Sequence, residues 1–185
     1  MTVKERLADV ERWFGEHAPK AREVLLPGAS IGDVASLENT VGAPVPAELR
    51  ALFDAHDGQQ PRSFVSTVEG CMLLSCKRAG KAWSTLAELL DAGDLDQPAE
   101  SRDGKVKAVW WSKKWIPFAE SSGDLLCVDL DPPSSGRFGQ VVRFYHDERW
   151  REQLAPSVDT LLANYLQKLR DGKYKLTGTG GIQLT

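Results

Sequence analysis

The chain has 185 residues, 42% hydrophobic and 26% charged, which suits one folded domain and excludes a disordered polypeptide. Its formal net charge of −3 lacks the basic excess of a general nucleic-acid binder. Cys71, Cys76 and Cys127 make an odd count that does not fit a disulfide framework, and no apolar run approaches the length of a membrane span. The N-terminus, MTVKERLADVERWF, is charged from its fourth residue and has no apolar h-region, so the expectation is a cytoplasmic chain without a signal peptide.

Thr2 and Glu5 spell a capping box (T-x-x-E). Val3, Leu7, Val10 and Phe14 follow at helical spacing, so a first helix is predicted to about His17, ended by Pro19. Residues 21–26 are a further turn of helix or a link, closed by Pro27-Gly28. Ser30 and Asp33 mark a second N-cap, with Ile31, Val34, Leu37 and Val41 as the apolar stripe and Gly42 as the C-cap. Pro44 and Pro46 bracket Val45 in an elbow. Pro46 suits the first position of a helix that buries Leu49, Leu52 and Phe53 and stops at Asp57-Gly58.

Residues 59–70 are weakly patterned; Phe64, Val65 and Val68 form a short strand or a loop. Residues 71–74 read as a first strand. Ser75 caps a helix over residues 77–90, with Ala79, Ala82, Trp83, Leu86, Leu89 and Leu90 inward. Residues 91–104 are acidic and rich in Gly, Pro and Ser, a surface loop, and residues 105–111 are a second strand.

Three strands follow at residues 115–119, 125–130 and 140–145, separated by Ser-Gly and Pro-Pro turns. Such short connections cannot make parallel crossovers, so the strands pair antiparallel in a β-meander with one face on a core. In the third, Val142 and Phe144 share one face and Val141, Arg143 and Tyr145 the other. His146-Asp147-Glu148-Arg149 is a polar connection. Ser157 caps a last helix with Val158, Leu161, Leu162, Tyr165, Leu166 and Leu169 inward and Gly172 at its end. The remaining residues hold TGTGG and read as a mobile end or an added edge strand at Ile182-Gln183-Leu184. The order predicts an α+β fold: a central antiparallel β-meander flanked by N-terminal and C-terminal helices. Residues 1–174 form one domain and 175–185 a tail.

Asp129 and Asp131 share strand parity, and with Asp124 they raise the question of a metal or acid–base site. The favoured reading is turn stabilisation, because Gly123-Asp124 and Asp131-Pro132-Pro133 sit at strand ends. Arg143 on the facing strand is a candidate salt-bridge partner of Asp129. His17, His56 and His146 share no ligand spacing, and Cys71-x4-Cys76 lacks a second Cys/His pair for zinc. The TGTGG tail has no following helix to support phosphate binding. Lys113-Lys114 between Trp111 and Trp115 fits a solvated turn better than nucleic-acid stacking. Trp110 and Trp111, adjacent on a strand, should face opposite ways, either exposing one as a binding hot spot or with both faces covered by helices.

Taken together, these residues resemble the SMI1/KNR4 family, also called the SUKH superfamily. The features are the capped helix from Ser30 to Gly42, the Pro44-Val45-Pro46 elbow with Leu49-Arg50-Ala51-Leu52-Phe53, and the His56-Asp57-Gly58 stop. Leu73-Leu74-Ser75, Trp115-Ile116-Pro117-Phe118 and Gly123-Asp124-Leu125-Leu126-Cys127-Val128-Asp129-Leu130-Asp131 follow, then Gly139-Gln140-Val141 and the Ser157 helix. Order and spacing over roughly residues 1–174 carry the likeness; the TGTGG tail falls outside it. The resemblance implies an antiparallel sheet flanked by helices, no catalysis and no cofactor. It implies either a bacterial immunity protein, which binds and neutralises a cognate toxin of a polymorphic or contact-dependent toxin system, or a fungal-type regulator of cell-wall synthesis and signalling. The compact chain without long flanks points to the bacterial type. The expected partner is then a protein toxin, with no direct nucleic-acid or membrane contact.

Inhibition would come by occlusion, with Trp111, Trp115, Asp124, Asp129 and Asp131 as candidate contacts. A nuclease toxin would be basic, and acidic contacts would speed its association in a salt-sensitive way. A regulatory protein-binding scaffold is the alternative, and an enzyme using the three aspartates is a third.

Overall fold

A computed structural model describes residues 2–177 and 182–184. The first capping box forms as its spacing predicts. Thr2 Oγ1 accepts from Glu5 N and the Glu5 carboxylate accepts from Thr2 N, which satisfies two unpaired donors at the start of α1 (Val3–His17). Pro19 opens a short helix, α2 (Pro19–Glu23), so only the first three of residues 21–26 are helical. Ser30 and Asp33 repeat the capping box on α3 (Ile31–Val41), and Gly42 ends it in the left-handed conformation at φ 67°. Ile31 is not in the buried stripe; it is 80% exposed. At 100° per residue it lies roughly 90° from the centre of the Val34, Leu37 and Val41 face. In α4 (Ala47–Ala55), Pro46 stands one position before the helix, as its N-cap with ψ 149°, rather than inside it.

The weakly patterned residues 59–71 fold around a buried glutamine. The Gln59 side chain accepts from Thr67 Oγ1 (2.7 Å) and Leu73 N (2.9 Å) and donates to Val65 O (2.8 Å) and Ser63 Oγ (2.6 Å). This loop lies beside β1 (Met72–Leu73), which leads into α5 (Cys76–Asp91), capped by Ser75. The buried face of α5 is narrower than its apolar spacing suggests. Cys76, Ala79, Gly80 and Ala87 are buried, Ala82, Trp83, Leu86 and Leu90 are half-buried, and Leu89 is exposed.

Residues 105–111 are not a strand. The stretch before the meander contributes only β2 (Glu100–Ser101) and then crosses a sheet face as irregular chain, tied down by side chains. The meander itself is β3 (Trp115–Ser121), β4 (Asp124–Asp129) and β5 (Val141–Phe144), all antiparallel. It continues into β6 (Trp150–Ala155), which the sequence reading missed. The sheet order is β1-β3-β4-β5-β6-β2, and β2 pairs parallel to β6.

Strand register sorts the core into two faces. Ile116, Val128, Val141 and Ala155 pair across four strands and share one face. The helices α1, α4 and α6 (Val158–Arg170) pack together on that side, where Leu49, Val128 and Val158 line one groove. The whole predicted stripe of α6 is buried. Trp115, Cys127, Val142 and Phe144 belong to the opposite face, covered by α5 and the irregular segment. Both faces being covered, Val141 and Val142 are equally buried.

The chain ends in a hairpin of β7 (Tyr174–Leu176) and β8 (Ile182–Leu184). Its anchor is Glu69, whose carboxylate accepts from Tyr174 OH (2.9 Å) and Lys168 Nζ (2.8 Å). The edge-strand expectation at Ile182–Leu184 holds as this separate two-stranded sheet, while residues 178–181 of TGTGG lie outside the described residues.

Gly58 couples the helical and sheet halves. It has φ +73°, and a Cβ there would come 2.3 Å from Ser75 N and 2.5 Å from Leu74 C. Gly58→Ala is therefore expected to lower unfolding free energy by roughly 2–4 kcal/mol. The measurement is the urea midpoint at unchanged m-value; an unshifted midpoint would contradict this packing.

Candidate protein-binding surface

The aromatic residues of the meander are organised by an arginine. Arg151 is fully buried at 0% exposure, opposite Phe144 in the β5–β6 register. Its Nε and Nη2 donate to Trp110 O (3.0 and 2.7 Å), and Nη1 donates to Glu148 O (2.7 Å) and Trp150 O (2.5 Å). The guanidinium lies over the rings of Trp110 (5.1 Å) and Phe144 (4.8 Å). Burial lowers its pKa to about 10, which leaves it charged at neutral pH. Trp111 meets Trp115 (5.6 Å) and Phe144 (5.3 Å) edge to face.

Trp111 and Trp115 are 2% and 1% exposed, so burial removes both from the contact surface read from the sequence. Trp110, half-buried over Arg151, is the outward member of the pair.

The three aspartates take separate roles. Asp129 is fully buried and also leaves the contact surface. It accepts from Gln140 Nε2 (2.9 Å) and Asp131 N (3.0 Å), and desolvation raises its pKa above the ordinary carboxylate value. Gln140 also donates to Lys105 O (2.7 Å) and accepts from Gln153 Nε2 (2.7 Å), which ties the irregular segment to the sheet. Arg143 does not pair with Asp129. It sits opposite Leu126, on the other face, and donates to Glu69 O (3.2 Å).

Asp131 is exposed and held by Lys107 Nζ at 2.5 Å. Asp124 stands at the far end of β4, about 16 Å of strand from Asp129. It accepts from His146 N (3.1 Å) and pairs with His146 Nδ1 (2.9 Å). The predicted acidic set therefore does not converge on one point. A different trio, Asp124, His146 and Asp147, brings one ligand atom each within 4.8 Å of the others. Its geometry is that of a solvent-facing ion pair closing the β3–β4 turn against the connection to β6.

The remaining nucleophile candidates are inert. Burial pushes the Cys71 thiol up to about 11 and Cys76 to about 12, and burial also raises Cys127 well above the ordinary thiol value, so none is a thiolate at neutral pH. His17 stacks on Trp13 (4.7 Å), and His56 links Leu26 O (2.7 Å) to Glu11 (3.0 Å). The space between α1, α4, α6 and Phe118 is about 10 Å³, room for roughly one water.

Open concavities lie along α5. One groove of about 340 Å³ runs between α3 and α5, lined by Ser36, Thr40, Lys77, Gly80, Lys81 and Ser84 among others. Another of about 380 Å³ runs between α5 and the β3–β4 hairpin, with Arg78, Lys81, Ala82, Leu86, Glu120 and Leu125. Sequence reading passed over this surface. The Lys77/Lys81 spacing, one helical turn apart, was the available signal.

Two measurements check these assignments. Asp129→Ala is expected to cost roughly 1–3 kcal/mol of stability, because it orphans the buried Gln140 donor, while Asp131→Ala changes stability by less than about 1 kcal/mol. Equal effects in chemical denaturation would contradict the burial assigned to Asp129. The Asp124 bond raises the His146 pKa above 6.5. Its stabilisation is thus complete below the ordinary histidine pKa and fades as pH rises through the raised value. An NMR titration should find the raised pKa in the parent and a return toward 6.5 in Asp124→Asn.

Comparison with known proteins follows the same outline. The model of the SMI1 / KNR4 family (SUKH-1) matches residues 28–164, from the Gly28 link to the second turn of α6. A cell wall biosynthesis/cell cycle regulator of Schizosaccharomyces pombe is 29% identical over 93% of this chain and 37% of its own length. A glucan synthesis regulatory protein of Neurospora crassa is 23% identical over 89% of this chain and 38% of its own length. The chain thus spans well under two-thirds of either relative. With the α+β architecture and the family match in agreement, this chain belongs to the SMI1/KNR4 family (SUKH-1).

Proposed function

We propose that the protein is a non-catalytic binding module that neutralises a cognate toxin by covering its active site. The observation that carries this reading is the pairing of family membership with dispersed chemistry. The acids of β4 sit at opposite strand ends, and the three cysteines are buried thiols. What the chain offers a ligand is open surface on a well-packed scaffold. An interface of this kind would bury on the order of 1,600 Å² in total.

Of the contacts read from the sequence, Asp124 and Asp131 keep accessible side chains. Asp124 falls between Gly123 and Leu125 of the groove beside α5, but its side chain is turned to His146 and is not in the groove lining. Asp131, at the other end of β4, stands apart from it. No helix among the described residues is long and apolar enough to cross a membrane.

The second reading is a regulatory protein-binding scaffold. It is favoured by the two fungal relatives, a cell wall biosynthesis/cell cycle regulator and a glucan synthesis regulatory protein, which align with about nine-tenths of this chain. Co-expression with the product of the adjacent gene separates the two. Toxin neutralisation predicts that the neighbour arrests growth alone, and that this chain restores growth and co-purifies with it stoichiometrically. A harmless neighbour that forms no complex would overturn that reading in favour of the scaffold.

A further inference from the structure

We propose that the two grooves flanking α5 form one docking surface for an acidic segment of the protein partner, with apolar side chains beside its carboxylates. This rests on the protein-binding reading above and names the face and the chemistry that the partner must present.

The first observation is charge left unmatched. Lys77 and Lys81 lie one turn apart on α5 and line the groove against α3 together with the hydroxyls of Ser36, Thr40 and Ser84. Neither lysine has a carboxylate partner among the described residues. Some surface cations are matched, Lys107 with Asp131, Lys113 with Asp91, Arg50 with Asp54 and Arg149 with Glu100, and others such as Lys4, Arg62 and Lys114 are not; Lys77 and Lys81 differ in lining one groove together. Asp33, the carboxylate in the groove lining, is committed to the α3 cap through Ser30 N (3.1 Å) and Ser30 Oγ (2.5 Å). In a chain with 26 acidic and 23 basic residues, two adjacent unpaired ammonium groups in one concavity give a foreign carboxylate two charge partners at once.

The second observation is continuity. Lys81 also lines the groove on the other flank of α5, whose wall is Ala82, Leu86 and Leu125. Arg78 there is already paired with Glu120. A segment crossing α5 would therefore meet ammonium groups first and an apolar wall next. Carboxylates with apolar neighbours fit that sequence of surfaces.

Polynucleotide fits it poorly. A phosphate backbone needs successive cations along its path, and here Asp33 and Glu120 interrupt them. Neither groove lining includes an aromatic platform for bases. The same reasoning reverses the expectation of a basic contact surface on the toxin, because the free charge on this face is positive.

The test titrates the isotopically labelled full chain with a synthetic peptide alternating Asp and Leu, with its Asn–Leu counterpart, and with short oligothymidine. Amide shifts should centre on Lys77, Lys81, Leu86 and Leu125 with the acidic peptide. Affinity should fall about tenfold or more for the Asn–Leu peptide and for the double variant Lys77→Glu/Lys81→Glu. Lys77→Arg/Lys81→Arg should retain binding, which separates lost charge from lost fold. Absence of shifts at these residues, equal binding of the neutral peptide, or stronger binding of oligothymidine would each overturn the proposal. Co-purification with the adjacent gene product keeps the two claims apart. A complex that survives Lys77→Glu/Lys81→Glu sinks this surface and leaves protein binding standing, whereas a parent chain that forms no complex with that product sinks the toxin-neutralising reading.

Discussion

The buried guanidinium of Arg151 is the constraint on which the outer half of the molecule depends. A charge removed from water is costly unless its hydrogen-bonding capacity is met. Here it is met by the carbonyls of Trp110, Glu148 and Trp150 and by the faces of Trp110 and Phe144. Two of those groups, the carbonyl and the ring of Trp110, lie on the irregular segment. Satisfying Arg151 therefore pins the Trp110 backbone over β5 and β6. That in turn seats Trp111 in the angle between Trp115 and Phe144. The segment needs no regular structure, because side-chain bonds from Arg151 and Gln140 take over the role of a ladder.

The consequence is a sheet covered on both faces by different means. On one side three amphipathic helices supply continuous apolar stripes, a solution built from local periodicity. On the other, a narrow face of α5 and an irregular segment meet a mixture of aromatic and hydrogen-bonded polar groups. The narrow face also shapes the surface. With Cys76, Ala79, Gly80 and Ala87 as its buried residues, much of α5 remains a ridge between two grooves. A helix buried along a wider stripe would leave less surface for a partner to read.

Dispersal of the ionisable groups has the same origin. β4 ends at Asp129, so Asp131, which would share its face on a continued strand, lies past the strand end at the rim while Asp129 stays in the core. Asp129 became a structural acceptor because Gln140 and the Asp131 amide were there to satisfy it. Asp124 remained at a turn with His146. A scaffold that spends its acids and cysteines on packing and turns suits recognition by surface, where shape and charge on an existing face carry specificity.

Local chemistry made much of the architecture legible in the chain itself. The Thr2/Glu5 and Ser30/Asp33 boxes, the Gly42 cap, the α6 stripe and the antiparallel meander all follow from interactions within a few residues or from short turns. What failed was non-local. β6 was hidden because its inward Arg151 breaks the apolar alternation that betrays a strand, and its satisfaction comes from Trp110, forty-one positions away in sequence. Residues 105–111 look like a strand, but their backbone is held by Gln140 and Arg151 rather than by a neighbouring strand. The tryptophans and aspartates were recognisable as residue types suited to binding, yet whether each faced a partner or the core depended on which elements folded over them. Sequence by itself determined the helices, the caps and the antiparallel order, since their energetics are local. Only the tertiary structure decided burial, and with it which charged residues remain free for a partner, because desolvation and pairing are set by groups that the chain brings together from a distance.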